Sequence, residues 1–319
     1  MRVVITGGSG YIGARLSAYL SDKGFEVIPV CFSSIPEDQN WKSKMFGIYQ
    51  LDLRKEETTS FITSLKPDAI IHLVSLDHTA SENDSQLAQD TNVLPTLRLL
   101  DSCTKAGLKK FIYFSTIHVY GKLENSIVTE SHAAKTENTY GLTHYLSESI
   151  CDYYNRKTAT NVISVRLSNS YGAPVLLTNN CWSLAVNDLC KQAFQNKEIR
   201  LLSDGSPQRD FIHGNDVCDA IEKLLNLNSK NIENNIYHIS SGQTITLLEL
   251  AKTVRDAYQS RYGQLLEISI SNGNISVDTI QNPKERYTIS NEKLMKLRFF
   301  TSYNSSLPLG LRKANEKRR

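Results

Sequence analysis

Apolar residues along this chain follow two alternating rhythms. Short runs at 3–6, 26–30, 48–51, 69–74, 110–115 and 161–166 are nearly continuous in Val, Ile and other apolar side chains. Strands written this way are buried on both faces, the condition of a parallel sheet covered by helices. Between them, apolar positions return at helical spacing over 11–23, closed by Gly24, and over 93–105, closed by Gly107. Pro95 falls in the first turn of the second, where a missing N–H is tolerated. The alternation predicts an α/β fold built on a doubly wound parallel sheet.

After Arg166 the rhythm breaks. Helical patterns recur at 182–195, 216–227 and 247–259, with short strand-like pieces at 199–202 and 236–239. The reading is a dinucleotide-binding domain over 1–166 plus about 209–231. A smaller C-terminal α/β substrate lobe takes about 167–208 plus 232–319. With no repeat or low-complexity linker between them, a cleft between the two lobes is expected.

The 319 residues are 40% hydrophobic and 22% charged, the composition of a soluble globular protein. The net charge is +3, and 312–319 alone carries five basic residues against one Glu. The rest is close to neutral, which argues against a nucleic-acid partner and makes the terminus a solvated tail. No apolar run approaches the ~20 residues of a membrane span, and Met1 leads directly into the first strand, so no membrane partner is expected. The six cysteines form no CxxC pair, which speaks against a zinc site or a disulfide scaffold. No metal is expected, and the location expected is the cytoplasm.

Thr6-Gly7-Gly8-Ser9-Gly10-Tyr11-Ile12-Gly13 joins the first strand to the first helix. Gly7 permits the tight turn, Gly10 lets backbone approach a pyrophosphate, and Gly13 permits close helix–strand packing. Free N–H groups at Tyr11 and Ile12 would meet the phosphates. A Rossmann dinucleotide site follows. Asp52 and Leu53 come after the third strand, where Asp52 suits either a cofactor contact or a helix N-cap for 53–65. At the end of the second strand, Val30 is followed by Cys31-Phe32-Ser33-Ser34, with no acid for ribose hydroxyls and no cation before Lys42. Ser33 is the polar candidate there. NAD is favoured because nothing cationic is placed for NADP, which stays open.

Further motifs follow in order: Ser115-Thr116-Ile117-His118-Val119-Tyr120-Gly121, then Tyr140-Gly141-Leu142-Thr143-His144, Arg166-Leu167-Ser168-Asn169-Ser170-Tyr171-Gly172-Ala173-Pro174 and Gln208-Arg209-Asp210-Phe211. With the GxxGxxG turn, they resemble the extended short-chain dehydrogenase/reductase family, in its nucleotide-sugar epimerase and dehydratase branch, from residue 2 to about 311. The resemblance implies Thr116 and Tyr140 as catalytic, with Tyr140 taking a sugar hydroxyl proton while hydride leaves the same carbon. It implies Asp52 at the adenine amino group, and Asn169, Arg209 and, as a second phosphate contact, Arg286 at the substrate diphosphate. A planar guanidinium suits two phosphate oxygens.

His144 departs from the family, standing where it has a lysine that holds the nicotinamide ribose and lowers the tyrosine pKa. Imidazole is mostly neutral at pH 7 but still hydrogen-bonds a ribose hydroxyl, so His144 is carried as both a catalytic and a cofactor residue. Ile117 and His118 replace the Asp-Glu pair of 4,6-dehydratases, which argues against dehydration. The expected activity is NAD(P)-dependent hydride transfer at C4 of a nucleotide-diphosphate sugar, as an epimerase. The alternatives are a C4 dehydrogenase or ketoreductase, or a catalytically weakened cofactor-binding regulatory subunit. The resemblance also implies a homodimer.

Overall fold

A computed structural model describes residues 1–123, 126–227, 230, 235–270 and 286–297; the basic terminus at 312–319 lies outside them. Five strands and their crossovers come first: β1 (Arg2–Thr6), β2 (Glu26–Cys31), β3 (Tyr49–Gln50), β4 (Ala69–His72) and β5 (Lys110–Thr116). Two more, Asn161–Leu167 and Ile236–Ile239, complete a seven-stranded sheet. Its order is Ile236–Ile239, Asn161–Leu167, β5, β4, β1, β2, β3, and every pairing is parallel. β4, β5 and Asn161–Leu167 are buried along their whole length, as continuous apolar runs require.

One face of the sheet packs against the first helix, α1 (Tyr11–Asp22), and the helix Gly214–Asn226. Leu16 and Leu20 meet Val217, Ile221 and Leu224 there, all fully buried. The other face carries Leu94–Lys105 and Thr139–Lys157, through Leu99, Leu100 and Cys151. The smaller lobe has its own apolar core around Leu189, Ile199, Leu250 and Val254. It is built from a sheet of Asn169–Tyr171, Gln208–His213 and Thr244–Thr246, and from the parallel pair Glu198–Leu201 and Glu267–Ile270.

Several expectations shift. The division expected at 232 fails, because Ile236–Ile239 pairs with Asn161–Leu167 and belongs to the large sheet. A four-residue apolar run has no lobe of its own until tertiary pairing assigns one. The third strand shrinks to two residues, and the helix expected from Leu53 begins at Glu57. Ahead of Leu94–Lys105 the chain makes a π-helical turn, Gln89–Val93, that sends the Asn92 side chain inward. There it accepts from the Leu76 N–H at 2.8 Å and donates to Thr143 Oγ1 at 2.9 Å.

An ion pair is buried against the sheet. Arg166, 3% exposed, donates Nε and Nη2 to the two carboxylate oxygens of Glu148, 4% exposed, at 2.9 and 2.7 Å. Its Nη1 reaches the Tyr120 hydroxyl at 2.6 Å. Glu148→Gln therefore leaves a buried guanidinium without its counter-charge, and denaturant unfolding should show a loss of about 3 kcal/mol. Lys105→Ala, which removes an exposed pair with Asp101, should cost about 0.5 kcal/mol or less in the same measurement.

Candidate active site

Two cavities open at the carboxyl ends of the strands. The first, about 440 Å³, is lined by Gly7, Ser9 and Gly10 of the first turn, Cys31 to Ser33 at the end of β2, Asp52 to Arg54, and Leu73 to Leu76 after β4. Gly7 turns at φ 70°. A Cβ at Gly13 would sit 2.1 Å from the Gly7 carbonyl oxygen, so only glycine lets α1 start so close to β1. At Gly10 an added Cβ would meet only that carbonyl, at 3.1 Å, so its remaining surroundings are open. No side chain caps α1 and no acid occupies its first turn, which leaves its first N–H groups for an anion. Tyr11 sends its hydroxyl to the Gly172 carbonyl at 2.7 Å, and Ile12 packs into the core.

The second cavity, about 470 Å³, is lined by Ile117, His118, Asn169, Arg209 and Tyr287, with Lys122 and Glu137 also in its wall. Asn169 is held by donating to the Asp210 carbonyl at 2.9 Å. Arg209 is exposed there, anchored by one N–H to the Gln208 carbonyl at 2.7 Å and close to Tyr287, whose hydroxyl donates to the same carbonyl at 3.0 Å.

Thr116 and Tyr140 meet at the seam. Thr116 ends β5, and its Oγ1 accepts the His118 N–H at 3.2 Å, capping the short turn Ile117–Tyr120. Tyr140 lies in the first turn of Thr139–Lys157, whose N-cap Asn138 accepts the Gly141 N–H at 2.7 Å. A Cβ on Gly141 would lie 2.8 Å from the His118 carbonyl oxygen, so glycine allows this helix to press against that turn. This places the Thr116 hydroxyl beside the Tyr140 phenol. Burial pushes that phenol up to about 12, against the nearby Thr116 hydroxyl, which lowers it, while Asp77 adds to the rise.

His144 is packed edge-on against Tyr140, with ring centroids 4.5 Å apart. It is 3% exposed, with Nε2 3.1 Å from Ser75 Oγ and Nδ1 2.8 Å from the Tyr113 hydroxyl. Burial holds it neutral, down to about 3, with His118 and His72 adding to the fall. Both ring nitrogens already have protein partners, so the ribose contact expected of His144 has no free nitrogen to make it. Neither the serine nor the tyrosine stands at a spacing from His144 that reveals the contact in sequence.

The chain matches the model of the NAD dependent epimerase/dehydratase family over residues 3–240. It belongs to that family. Among its relatives, a UDP-glucose 4-epimerase of Cyamopsis tetragonoloba is 28% identical over 281 residues, 80% of either chain. One from Bacillus subtilis is 27% identical over 278 residues, 79% of this chain and 80% of that one. Among solved structures, the Thermotoga maritima UDP-glucose 4-epimerase with UDP-glucose superposes with a TM-score of 0.76 at 23% identity, over 93% of this chain and 92% of that chain. MoeE5, in complex with UDP-glucuronic acid and NAD, gives a TM-score of 0.76 at 19% identity, covering 95% and 94%.

The family's cofactor, NAD, fits the first cavity. The uncapped α1 N-terminus and the open space at Gly10 suit a pyrophosphate, and Ser33 lines the far end. Asp52 lines it too, but is clamped by Arg54, whose Nε and Nη2 donate to its two oxygens at 2.9 and 2.7 Å. Its N-cap alternative fails, since the following helix is preceded by Glu56. Arg54, whose guanidinium stands 5.1 Å over the Phe32 ring, is a groove residue that the sequence reading missed.

Arg286 needs correction as a phosphate contact. It donates to the Thr244 carbonyl and pairs with Glu249 at 2.7 Å, and its neighbour Tyr287 lines the second cavity instead. The two glycines of the first turn should part company in experiment. Gly10→Val should fold normally and lose NAD binding in calorimetry, since its added bulk enters the phosphate space. Gly13→Ala should lower the melting temperature as well, because its methyl meets the backbone of its own turn.

Proposed function

We propose that this chain is a nucleotide-sugar 4-epimerase in which Tyr140 is the base. The Thr116 hydroxyl set beside the Tyr140 phenol, at the seam of a dinucleotide groove and a cavity carrying Arg209, is the observation that supports this reading. Bound NAD supplies the hydride acceptor. Tyr140 receives the proton of the sugar C4 hydroxyl, and the Thr116 hydroxyl holds that oxygen. Asn169 and Arg209 anchor the diphosphate, which fixes the sugar between the two cavities. Ile117 and His118 offer no carboxylate pair, so a 4,6-dehydratase reaction is not part of the proposal.

One feature favours a second reading. With a neutral His144 and a phenol near 12, the site lacks the fixed cation that would prime Tyr140. That suits a slower one-way enzyme, a C4 dehydrogenase or ketoreductase, or a cofactor-binding regulatory subunit. A homodimer is proposed through the outer face of Thr139–Lys157 and its neighbour Leu94–Lys105, where Leu97, Leu142, Tyr145, Leu146 and Tyr153 are all exposed.

The test is absorbance of the nicotinamide during a single turnover with UDP-glucose and related nucleotide-sugars. Epimerisation yields both C4 epimers with no net change in cofactor. One-way chemistry leaves reduced or oxidised cofactor in step with product, and a regulatory subunit leaves both unchanged. Tyr140→Phe should lower the rate by several orders of magnitude while NAD stays bound. Arg209→Ala should weaken nucleotide-sugar binding by about 1.5–3 kcal/mol in calorimetry and leave NAD affinity intact. In contrast, Arg286→Ala should leave both affinities unchanged and lower stability, because its partners are Glu249 and the Thr244 carbonyl.

A further inference from the structure

Tyr140 stands among three imidazoles. His144 is centred 4.5 Å from its ring, His118 6.0 Å and His78 6.3 Å. They are not equivalent. His144 is sealed in with both nitrogens occupied, by Ser75 and Tyr113. His78 is exposed but is not among the residues lining the second cavity. His118 is exposed, lines that cavity, and reaches the catalytic pair through its own backbone, whose N–H donates to Thr116. Neither of its ring nitrogens has a hydrogen-bond partner among the described residues. It is an imidazole set edge-on to the Tyr140 ring, with centroids 6.0 Å apart and both nitrogens unengaged by the described residues.

We propose that His118 is the proton relay of this site, taking the Tyr140 proton toward solvent as the substrate hydroxyl gives up its own. The inference rests on the reading of Tyr140 as base. In the step, the substrate O–H bond breaks and its proton passes to the phenol oxygen. The phenol O–H bond breaks in turn, and an N–H bond forms on His118, directly or through one water. The alkoxide electron pair stays on the substrate for hydride departure, and return of the proton runs the same path backwards.

The relay answers a physical difficulty. Burial pushes the Tyr140 phenol well above its ordinary value, so a preformed phenolate is scarce at pH 7. A base this weakly acidic works when its own proton leaves in the same step. Burial first, then Arg209 and His78, lower the His118 pKa, which keeps the ring in its neutral, proton-free form while weakening it as a base. The other charged or titratable groups around it are Tyr140 and His144, and Lys122, Glu137 and Tyr287 in the cavity wall. A neutral ring accepts at physiological pH and loses that capacity as acid protonates it.

The experiment follows single-turnover hydride transfer with UDP-glucose and a panel of nucleoside-diphosphate hexoses from pH 5 to 10. It compares the parent with His118→Ala, His118→Gln and Tyr140→Phe, each shown by calorimetry to bind NAD. The parent rate should fall on the acid side and level off above neutrality. Both His118 variants should be slower by about a hundredfold, with rates that climb with pH as expected for a bare phenol. Added imidazole should restore much of the His118→Ala rate. A parent profile unchanged in the His118 variants overturns the relay, as does a slow His118→Ala that imidazole does not rescue. Tyr140→Phe as fast as the parent overturns the base assignment, and the relay with it. A parent that transfers no hydride with any of these sugars overturns the catalytic reading as a whole.

Discussion

The pairing of Arg166 with Glu148 fixes the geometry on which the rest of the site depends. Arg166 comes from the interior of the sheet and Glu148 from the middle of the helix that carries Tyr140 at its start. Two buried charges are costly to leave unpaired, so the helix has one height and one rotation over the sheet at which both are satisfied. At that setting its first turn lies beside the end of β5, where Thr116 is. The third contact of the guanidinium, to the Tyr120 hydroxyl, ties in the turn that carries Ile117 and His118. Tyr120 in turn meets His238 Nε2 at 2.5 Å, and His238 Nδ1 reaches the Ser290 carbonyl at 2.9 Å. A single buried network thus spans the sheet interior, the helix that carries Tyr140, the turn after β5, the last strand of the sheet and the segment leading from Tyr287.

That network separates what sequence makes legible from what it does not. The strands of the sheet announce themselves because burial on both faces leaves no alternation to confuse them with anything else. The turn from Thr6 to Gly13 is legible because close backbone approach is a local demand, met by glycine at fixed spacing. Thr116 and Tyr140 are legible as motif positions, and the structure brings them together. Arg286 was misplaced because a lone arginine carries no local mark of its partner, and Glu249 lies 37 residues away. Tyr287, Arg54 and Asn92 were missed for the same reason. Their roles depend on what folds against them rather than on any pattern around them.

Residue 144 shows how packing decides what a substitution means. From sequence, a histidine in place of a lysine keeps a hydrogen-bonding group near the cofactor. In the folded chain the shorter side chain does not reach outward. It is enclosed by Tyr113, Ser75 and Tyr140, and a ring so enclosed stays neutral because desolvation penalises its charged form. A lysine here would have to extend past these partners or bury an ammonium among them. The pocket is built for an uncharged ring.

The electrostatic layout of the site follows from that replacement. On the cofactor side, His144 stands against Tyr140 with its uncharged partners Ser75 and Tyr113, and the charge of Asp77 opposes loss of the phenol proton. On the opposite side, the cavity wall holds Arg209, Lys122 and the free imidazole of His118. Whatever assistance the chain gives the phenol in losing its proton must therefore come from the side where the sugar and its diphosphate would lie. Occupying that cavity with a diphosphate would partly neutralise Arg209, the charge that helps hold His118 below its ordinary pKa. Substrate binding would then make His118 a better proton acceptor at the moment Tyr140 needs one, coupling recognition of the diphosphate to the chemistry at the sugar.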